Sequence, residues 1–273
     1  RGSRWTPVML EPVMKSLYFW FKGWHYDVGQ ALCAPTQAVL PASIGPHCPR
    51  LFDGFFTTFE LVIVALILAF ILARTLAQML AVGPSWTHRL IQAYVYIFQG
   101  TPILIQLWLM YYGLAQFEWI RESIAWTLLG SGWWVGLIVL TLNSAAYQTN
   151  ILIGGIQNLP SGQLEGARSL GLSQRHTYRE ILFPQALRAS WPALANEGIL
   201  LLKASALVST ITVLDLMGHA RTVFSRSYDL WVYGGAAFLY IALTAVMTLI
   251  AFLIRRYGFQ ALPADPWFQG MSR

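Results

Sequence analysis

The residue whose type and position most clearly suggest a chemical role is Glu197, a carboxylate inside a long apolar stretch. Asn196 precedes it, and Lys203 follows six residues later. A charged group in such a stretch is costly and usually faces a protein interior or a water-filled path. It can bind the cationic group of a small molecule, so all three residues are candidate substrate-binding residues. The alternative is an ion pair with Lys203 or Arg188, although residues six apart do not face each other on one helix.

A second set of polar residues recurs at helical spacing in another apolar stretch. Asn143, Tyr147 and Asn150 stand at i, i+4 and i+7, which predicts one polar stripe on a helix. The stripe either lines a pathway, with Asn143 and Tyr147 contacting substrate, or forms hydrogen bonds between helices. Both interpretations remain open from the sequence.

A polar segment from Ser161 to Pro184 separates two apolar stretches. Ser161 is a suitable N-cap, Gly171 a helix stop, and Ser173 a second helix start. The segment is therefore predicted to form two short helices around a bend, the second ending before Pro184.

The first of these short helices carries an apolar face beside charged residues. Leu164, Ala167 and Leu170 share that face, whereas Glu165 projects elsewhere. Such a helix suits docking into a groove on another protein, although an ordinary amphipathic loop is the alternative.

The composition indicates the setting for these residues. Of the 273 residues, 56% are hydrophobic and 11% are charged, against roughly 25% charged in soluble domains. The apolar blocks are long enough to cross a bilayer, which takes about 20 helical residues. We predict an all-α, polytopic membrane protein with five transmembrane helices, and lipid as its surroundings. The blocks are residues 55–72, 94–114, 133–155, 191–212 and 232–254.

The distribution of charge predicts the topology. The net charge of +6 comes from arginines that flank the apolar blocks and form no single basic patch, so no nucleic-acid partner is expected. Basic residues favour the side that carries the 161–184 segment, which predicts a periplasmic N-terminus and a cytoplasmic C-terminus. The predicted regions are an N-terminal extension over 1–53, a membrane domain over 54–258 containing the cytoplasmic loop 161–184, and a cytoplasmic tail over 259–273.

The chain has two cysteines, Cys33 and Cys48, both ahead of the first apolar block. A periplasmic location permits a disulfide between them, but their spacing alone fits two free thiols equally well.

Several kinds of chemistry lack a sequence signature. A phosphate-binding loop needs a Gly-rich turn ending in Lys and Ser or Thr, and no lysine of this chain follows such a turn. The five histidines are scattered without ligand spacing. We therefore expect no enzymatic activity, no metal and no cofactor in this chain, and an energy source on a partner.

The polar segment resembles the cytoplasmic loop of ABC importer permeases. Their pattern is Glu-Ala-Ala, a Gly after three residues, and Ile-x-Leu-Pro after nine more. Here Glu165, Gly166 and Ala167 are followed in register by Gly171 and by Ile181 to Pro184, with Gly166 and Phe183 as departures. The resemblance implies that Glu165, Gly166, Ala167, Gly171, Ile181 and Pro184 couple the chain to an ATPase.

Two other segments resemble permeases for polar amino acids. One runs from Tyr96 to Pro102 and continues to Gln106, which joins the candidate substrate-binding residues; its Gln99 stands where that family usually has Arg. The other, residues 194–207, resembles the histidine, arginine and opine branch.

The resemblance implies an ATP-driven importer of amino acids, cationic ones in particular, in the bacterial inner membrane. Its expected partners are a second permease subunit, homologous or identical, two ATP-binding subunits carrying ATP and Mg²⁺, and a periplasmic substrate-binding protein. A secondary amino acid transporter or a channel subunit is the alternative, although no clear internal repeat supports it.

Overall fold

The computed structural model describes residues 25–35 and 45–259, and within these ranges every regular element is helical. The predicted all-α class is thereby confirmed. The helices are α1 (Cys48–Val82), α2 (Ser85–Gly100), α3 (Ile103–Trp108), α4 (Glu118–Arg121), α5 (Trp126–Leu129), α6 (Gly132–Gln157), α7 (Ser161–Ser169), α8 (Gln174–Thr177), α9 (Phe183–Ser205), α10 (Leu216–Ser227) and α11 (Trp231–Leu253). Residues 25–33 are also helical. The tail beyond 259 and much of the N-terminal extension lie outside the described residues.

Shorter 3-10 and π turns connect several of these helices. The 3-10 turns are Gly45–His47, Leu114–Gln116 and Ala206–Ile211, and the π turns are Leu109–Gly113, Tyr178–Leu182 and Ile254–Gly258. Two of them continue α9, at its start and at its end.

Four helical stretches of the described chain are long and apolar enough to cross a membrane, and a fifth candidate is a broken pair. The four are Gly45–Val82, Gly132–Gln157, Gln174–Ile211 and Trp231–Gly258. The pair is α2 with the Ile103–Gln116 stretch. The predicted number of spans, five, is reached when the bent pair is counted as one span.

The second span differs from the prediction of one continuous helix over 94–114. The helix breaks at Thr101, whose backbone is extended with φ −111° and ψ 138°. Pro102 follows, and its ring disfavours a helical conformation at the preceding residue. The break therefore has a local cause that was present in the sequence.

The first helix is longer than the predicted block, beginning at Cys48 and ending at Val82. Arg74 and Gln78 lie beyond the end of the apolar run, but both are good helix formers. The stop comes at Gly83 and Pro84, where glycine and proline end the helical pattern.

The chain divides into two compact units, and each long helix contributes to both. The first unit holds the described residues up to 65, with 103–140 and 202–243. In this unit the Thr58 hydroxyl accepts a 2.9 Å hydrogen bond from the backbone N–H of Leu216, tying α1 to the start of α10. Trp108 donates its indole N–H to the Thr210 hydroxyl at 3.1 Å.

The second unit holds 66–102, 141–201 and the residues from 244 to 259. Its main apolar cluster joins α1, α6, the Tyr178–Leu182 turn and α9. The buried members are Ala73, Ala77, Leu152, Tyr178, Phe183 and Leu194. Small residues such as Ala73 and Ala77 let helix backbones approach closely, which favours packing between membrane helices.

Candidate functional site

Glu197 lies on α9 in the second unit and is only 6% exposed. Its Oε1 accepts a 2.9 Å hydrogen bond from the hydroxyl of Ser144 on α6. Gln148, one turn along α6, donates to the same hydroxyl oxygen at 3.1 Å. Among the described residues Glu197 forms no ion pair, with Lys203, Arg188 or any other cation. A buried carboxylate without a cationic partner is an unfavourable arrangement that a bound cation would relieve.

Ser144 and Gln148 were not identified from the sequence, although both are buried beside Glu197. They stand at i and i+4 on α6, the spacing that places two side chains on one helix face. That periodicity was available, but uncharged Ser and Gln are common in membrane helices and give a weak signal.

The stripe of Asn143, Tyr147 and Asn150 occupies a neighbouring face of α6. Asn143 donates to the carbonyl of Phe98 at 3.0 Å, and Asn150 donates to the Gln99 side-chain oxygen at 3.1 Å. These bonds connect α6 with α2, as the helix-packing interpretation expects. Tyr147 is 38% exposed.

Gln99 has a defined structural role between α2 and α6. Its amide nitrogen donates to the carbonyl of Ala146 at 3.2 Å, while its oxygen accepts from Asn150. A neutral side chain with both a donor and an acceptor can form both of these hydrogen bonds with α6 without adding a charge.

The other candidate binding residues are less enclosed. Asn196 is exposed, although it adjoins Glu197 in sequence. Gln106 is half-buried and Lys203 exposed; both belong to the first unit, not to the unit that contains Glu197. Within the second unit, the structure brings Glu197 together with Ser144 and Gln148, which were not chosen from the sequence.

The segment from Ser161 to Pro184 forms the predicted bend. Gly171 has a φ of +70°, the left-handed conformation that glycine adopts without strain. The Ser173 hydroxyl accepts the N–H of His176 and caps α8 as predicted. Pro160, not Ser161, occupies the N-cap position of α7, because Ser161 is already helical.

The sequence predicted that the second short helix ends before Pro184, and this prediction is wrong. The helix continues through the π turn Tyr178–Leu182 into α9. In this wider turn the N–H of Phe183 donates to the carbonyl of Tyr178, five residues back. A π turn departs from the regular i→i−4 bonding of an α-helix. Pro184, which has no N–H to donate, directly follows this turn, and the helical path continues through it.

The coupling residues predicted from the resemblance differ in exposure. Glu165, Gly166 and Gly171 are exposed, Ile181 and Pro184 half-buried, and Ala167 buried. The predicted apolar docking face is consequently smaller than expected. Ala167 packs inside the chain, and Leu170 is the strongly exposed apolar residue, at 78%.

The segment from Ser161 to Pro184, hereafter the predicted coupling segment, is anchored to α1 behind this exposed face. The hydroxyl of Tyr178 donates to the carbonyl of Arg74 at 3.4 Å. The Arg74 guanidinium carbon lies 5.0 Å from the centre of the Phe183 ring, a favourable cation–π distance. The segment is therefore held at its base while its tip remains exposed.

The first unit contains a buried polar cluster that sequence spacing did not indicate. Asp53 on α1 has one carboxylate oxygen 3.3 Å from His219 Nε2 and the other 3.9 Å from His25 Nδ1. A disulfide joins Cys33 and Cys48, 15 residues apart, and connects the 25–33 helix to α1. The described residues contain no group of three or more acidic, histidine or cysteine residues arranged to hold a metal ion.

Asp215 adjoins this cluster and caps α10. Its carboxylate accepts the N–H of Gly218 at 2.8 Å. Burial raises the pKa of Asp215 to about 7, while hydrogen bonds from the backbone N–H groups of Gly218 and Met217 and the positive charge of Arg221 oppose the rise.

Comparison with known proteins identifies the family. The family described as the binding-protein-dependent transport system inner membrane component matches residues 65–259. The chain belongs to this family. It is a membrane-spanning permease component with the fold of an ABC importer permease.

Individual relatives agree with this family. The arginine ABC transporter permease protein ArtM of Haemophilus influenzae is 40% identical over 201 residues, covering 73% of this chain and 88% of that protein. The octopine transport system permease protein OccM of Rhizobium radiobacter is 34% identical over 215 residues, 78% of this permease and 88% of its own length.

A solved structure described as an amino acid ABC transporter with histidines matches with a TM-score of 0.69 and 31% identity. The match covers 79% of this permease and 97% of that chain. The family favours a binding-protein-dependent permease over a secondary transporter or channel.

Proposed function

We propose that this permease moves cationic amino acids or opine-like substrates across the inner membrane, and that Glu197 receives their cationic group. The observation that carries the proposal is the burial of Glu197 with a hydroxyl donor and no cationic partner among the described residues. The names of the relatives, which refer to arginine and octopine, support the substrate class.

The proposed assembly contains a second permease subunit, two ATP-binding subunits with ATP and Mg²⁺, and a periplasmic substrate-binding protein. ATP hydrolysis belongs to the partner subunits. The exposed tip of the coupling segment, with Glu165 and Leu170, is the proposed contact with an ATP-binding subunit, because it projects charge and apolar surface together.

The proposed orientation places the coupling segment in the cytoplasm and the N-terminal region in the periplasm. Excess arginine on the side of the coupling segment supports it. The Cys33–Cys48 disulfide supports it independently, because disulfides persist in the oxidising periplasm and are rare in the cytoplasm.

Substitution of Glu197 tests the proposed substrate site. Glu197→Gln keeps the shape and an oxygen acceptor for Ser144 but removes the charge. We expect uptake of L-arginine by the assembled transporter in proteoliposomes to fall at least about tenfold, because losing one member of a buried charge pair costs about 2–5 kcal/mol.

The matched control is Glu118→Gln, since the Glu118 side chain is 84% exposed. It should leave uptake unchanged. Wild-type uptake in the Glu197→Gln variant, with its ATP-binding subunits still bound, would exclude Glu197 as the cation site.

A further inference from the structure

A cavity lies in the first unit, in the connection between the last two candidate membrane helices. Its volume is about 440 Å³, within the roughly 300–1,000 Å³ range of small-molecule sites. The 206–214 stretch forms one wall, α10 another, and Tyr233 on α11 a third. Along the chain, one candidate span, Gln174–Ile211, follows the 161–184 segment and precedes this connection, so the proposed orientation assigns the connection to the periplasmic side.

One face of α10 provides the polar wall of the cavity. Gly218, Arg221, Thr222 and Ser225 stand at i, i+3, i+4 and i+7, and all four line the cavity. Gly218 also permits the close approach of α10 to the preceding loop, because a Cβ atom there would lie 2.5 Å from the carbonyl oxygen of Val213.

Three hydroxyl groups of the cavity are oriented as acceptors. Ser209, Thr222 and Ser225 each donate to a backbone carbonyl of their own helical turn, at 2.8–2.9 Å. With the protons engaged there, the lone pairs of the hydroxyl oxygens remain available to a bound donor. An ammonium group is a donor of this kind.

Arg221 supplies the complementary charge. Its guanidinium is a planar fork of donors that matches a carboxylate. Within the described part of the chain, Arg221 forms no hydrogen bond or ion pair. The nearby acidic residue, Asp215, is buried and accepts the N–H of Gly218. The cavity thus combines an available cation with several acceptor oxygens.

We propose that this cavity binds the α-carboxylate and α-ammonium groups of an amino acid, with Arg221 holding the carboxylate. It is an outer site, separate from Glu197, and its ligand class rests on the proposed function. Phe224 and Tyr233, with ring centres 5.1 Å apart, provide an apolar wall for the carbon chain of the ligand.

A single introduced thiol can report on occupancy, because both native cysteines are joined in the disulfide. Ser225→Cys places the thiol in the cavity. Ser227→Cys is the matched control, since Ser227 is exposed on the same helix but does not line the cavity. The rate of maleimide labelling of this chain is measured for the assembled transporter in phosphatidylcholine nanodiscs.

We expect L-arginine at ten times its Kd to slow labelling of the Ser225→Cys variant about tenfold, because the free fraction falls to about one eleventh. Labelling of the Ser227→Cys variant should be unchanged. Agmatine, which lacks the carboxylate, should give no protection, and adding Arg221→Gln to Ser225→Cys should abolish protection by L-arginine.

Equal labelling of the Ser225→Cys variant with and without L-arginine would overturn the proposal. Equal protection by acetate, or by phosphatidylethanolamine added to the nanodiscs, would also overturn it in favour of a general anion or lipid-headgroup site. L-arginine uptake by the wild-type transporter is measured in parallel. Its absence would refute the proposed function, whereas uptake without protection would refute the outer site alone.

Discussion

Asp215 shows how one residue links burial to pH. Its side chain holds the first turn of α10, yet its second carboxylate oxygen is buried without a hydrogen-bond partner in the described structure. The protonated, neutral carboxyl has the lower free energy at this buried site, because burial disfavours the charged form.

The raised pKa of Asp215 predicts a loss of stability as pH rises. The folded state holds the proton up to a pKa of about 7, whereas the unfolded state releases it near the ordinary value of 3.8. Between these values the folded state binds more protons, so its stability falls with pH, by at most about 1.4 kcal/mol per pH unit. We expect Asp215→Asn, which retains a capping oxygen, to remove the part of the pH dependence of the unfolding free energy that Asp215 contributes.

The measurement is the unfolding midpoint of the assembled transporter from pH 4.5 to 8. Asp229→Asn is the matched control, because Asp229 likewise accepts a backbone N–H, that of Trp231, at 2.9 Å but is less buried. If the unfolding midpoint of the Asp215→Asn variant fell with pH as steeply as that of the wild type, Asp215 would not be the source of the pH dependence.

Sequence reasoning at the residue scale identified Glu197 because a charge in an apolar run is conspicuous. It missed Ser144 and Gln148, which are uncharged and 53 and 49 positions away along the chain. It also missed the approach of His25 and His219 to Asp53, because their proximity arises from packing in the first unit and not from spacing.

At the scale of elements, the bend between α7 and α8 depends on Gly171. A Cβ atom at this position would meet nothing within 4 Å, so steric crowding is not the constraint. The constraint is the left-handed backbone, which costs other residues about 1–2 kcal/mol.

Gly171→Ala is therefore expected to weaken coupling with the ATP-binding subunits. A cost of about 1–2 kcal/mol lowers the population of the bent segment roughly five- to thirtyfold. The measurement is L-arginine taken up per ATP hydrolysed. Gly154→Ala is the control, since a Cβ atom at Gly154 would also meet nothing within 4 Å, but Gly154 lies in regular helix. Equal ratios in the two variants would contradict the role assigned to the bend.

The observed helix boundaries show which single residues were enough to predict where a helix begins or ends. Gly171 and Ser173 were interpreted correctly because a positive φ and a capping hydroxyl are local requirements. Pro184 was taken as a stop, yet the preceding π turn lets the helix continue, a geometry that residue propensities do not encode. Pro102 was overlooked within an apolar run and breaks the second span.

At the scale of the whole chain, hydropathy was enough to predict an all-helical membrane protein with about five spans. The division into two units was not predictable, because each unit combines three separated stretches of sequence. The disulfide likewise depends on how the chain packs, because the spacing of Cys33 and Cys48 fitted a disulfide and two free thiols equally well.

The disulfide is expected to restrain the 25–33 helix. Closing a loop of this length contributes about 3 kcal/mol. Replacing both cysteines, with Cys33→Ser and Cys48→Ser, should speed hydrogen exchange in residues 25–33, by up to roughly a hundredfold. Reductant should have the same effect on the wild type and no further effect on the double variant. Unchanged exchange in both cases would show that contacts such as His25 with Asp53 suffice.

The helical path from Gln174 to Glu197 has a mechanical consequence. At about 1.5 Å per residue it is roughly 35 Å long, and it lies within one compact unit. It contains two features at which helices bend, the π turn Tyr178–Leu182 and Pro192. A movement of the 161–184 segment therefore reaches Glu197 through a helix that can flex as well as tilt.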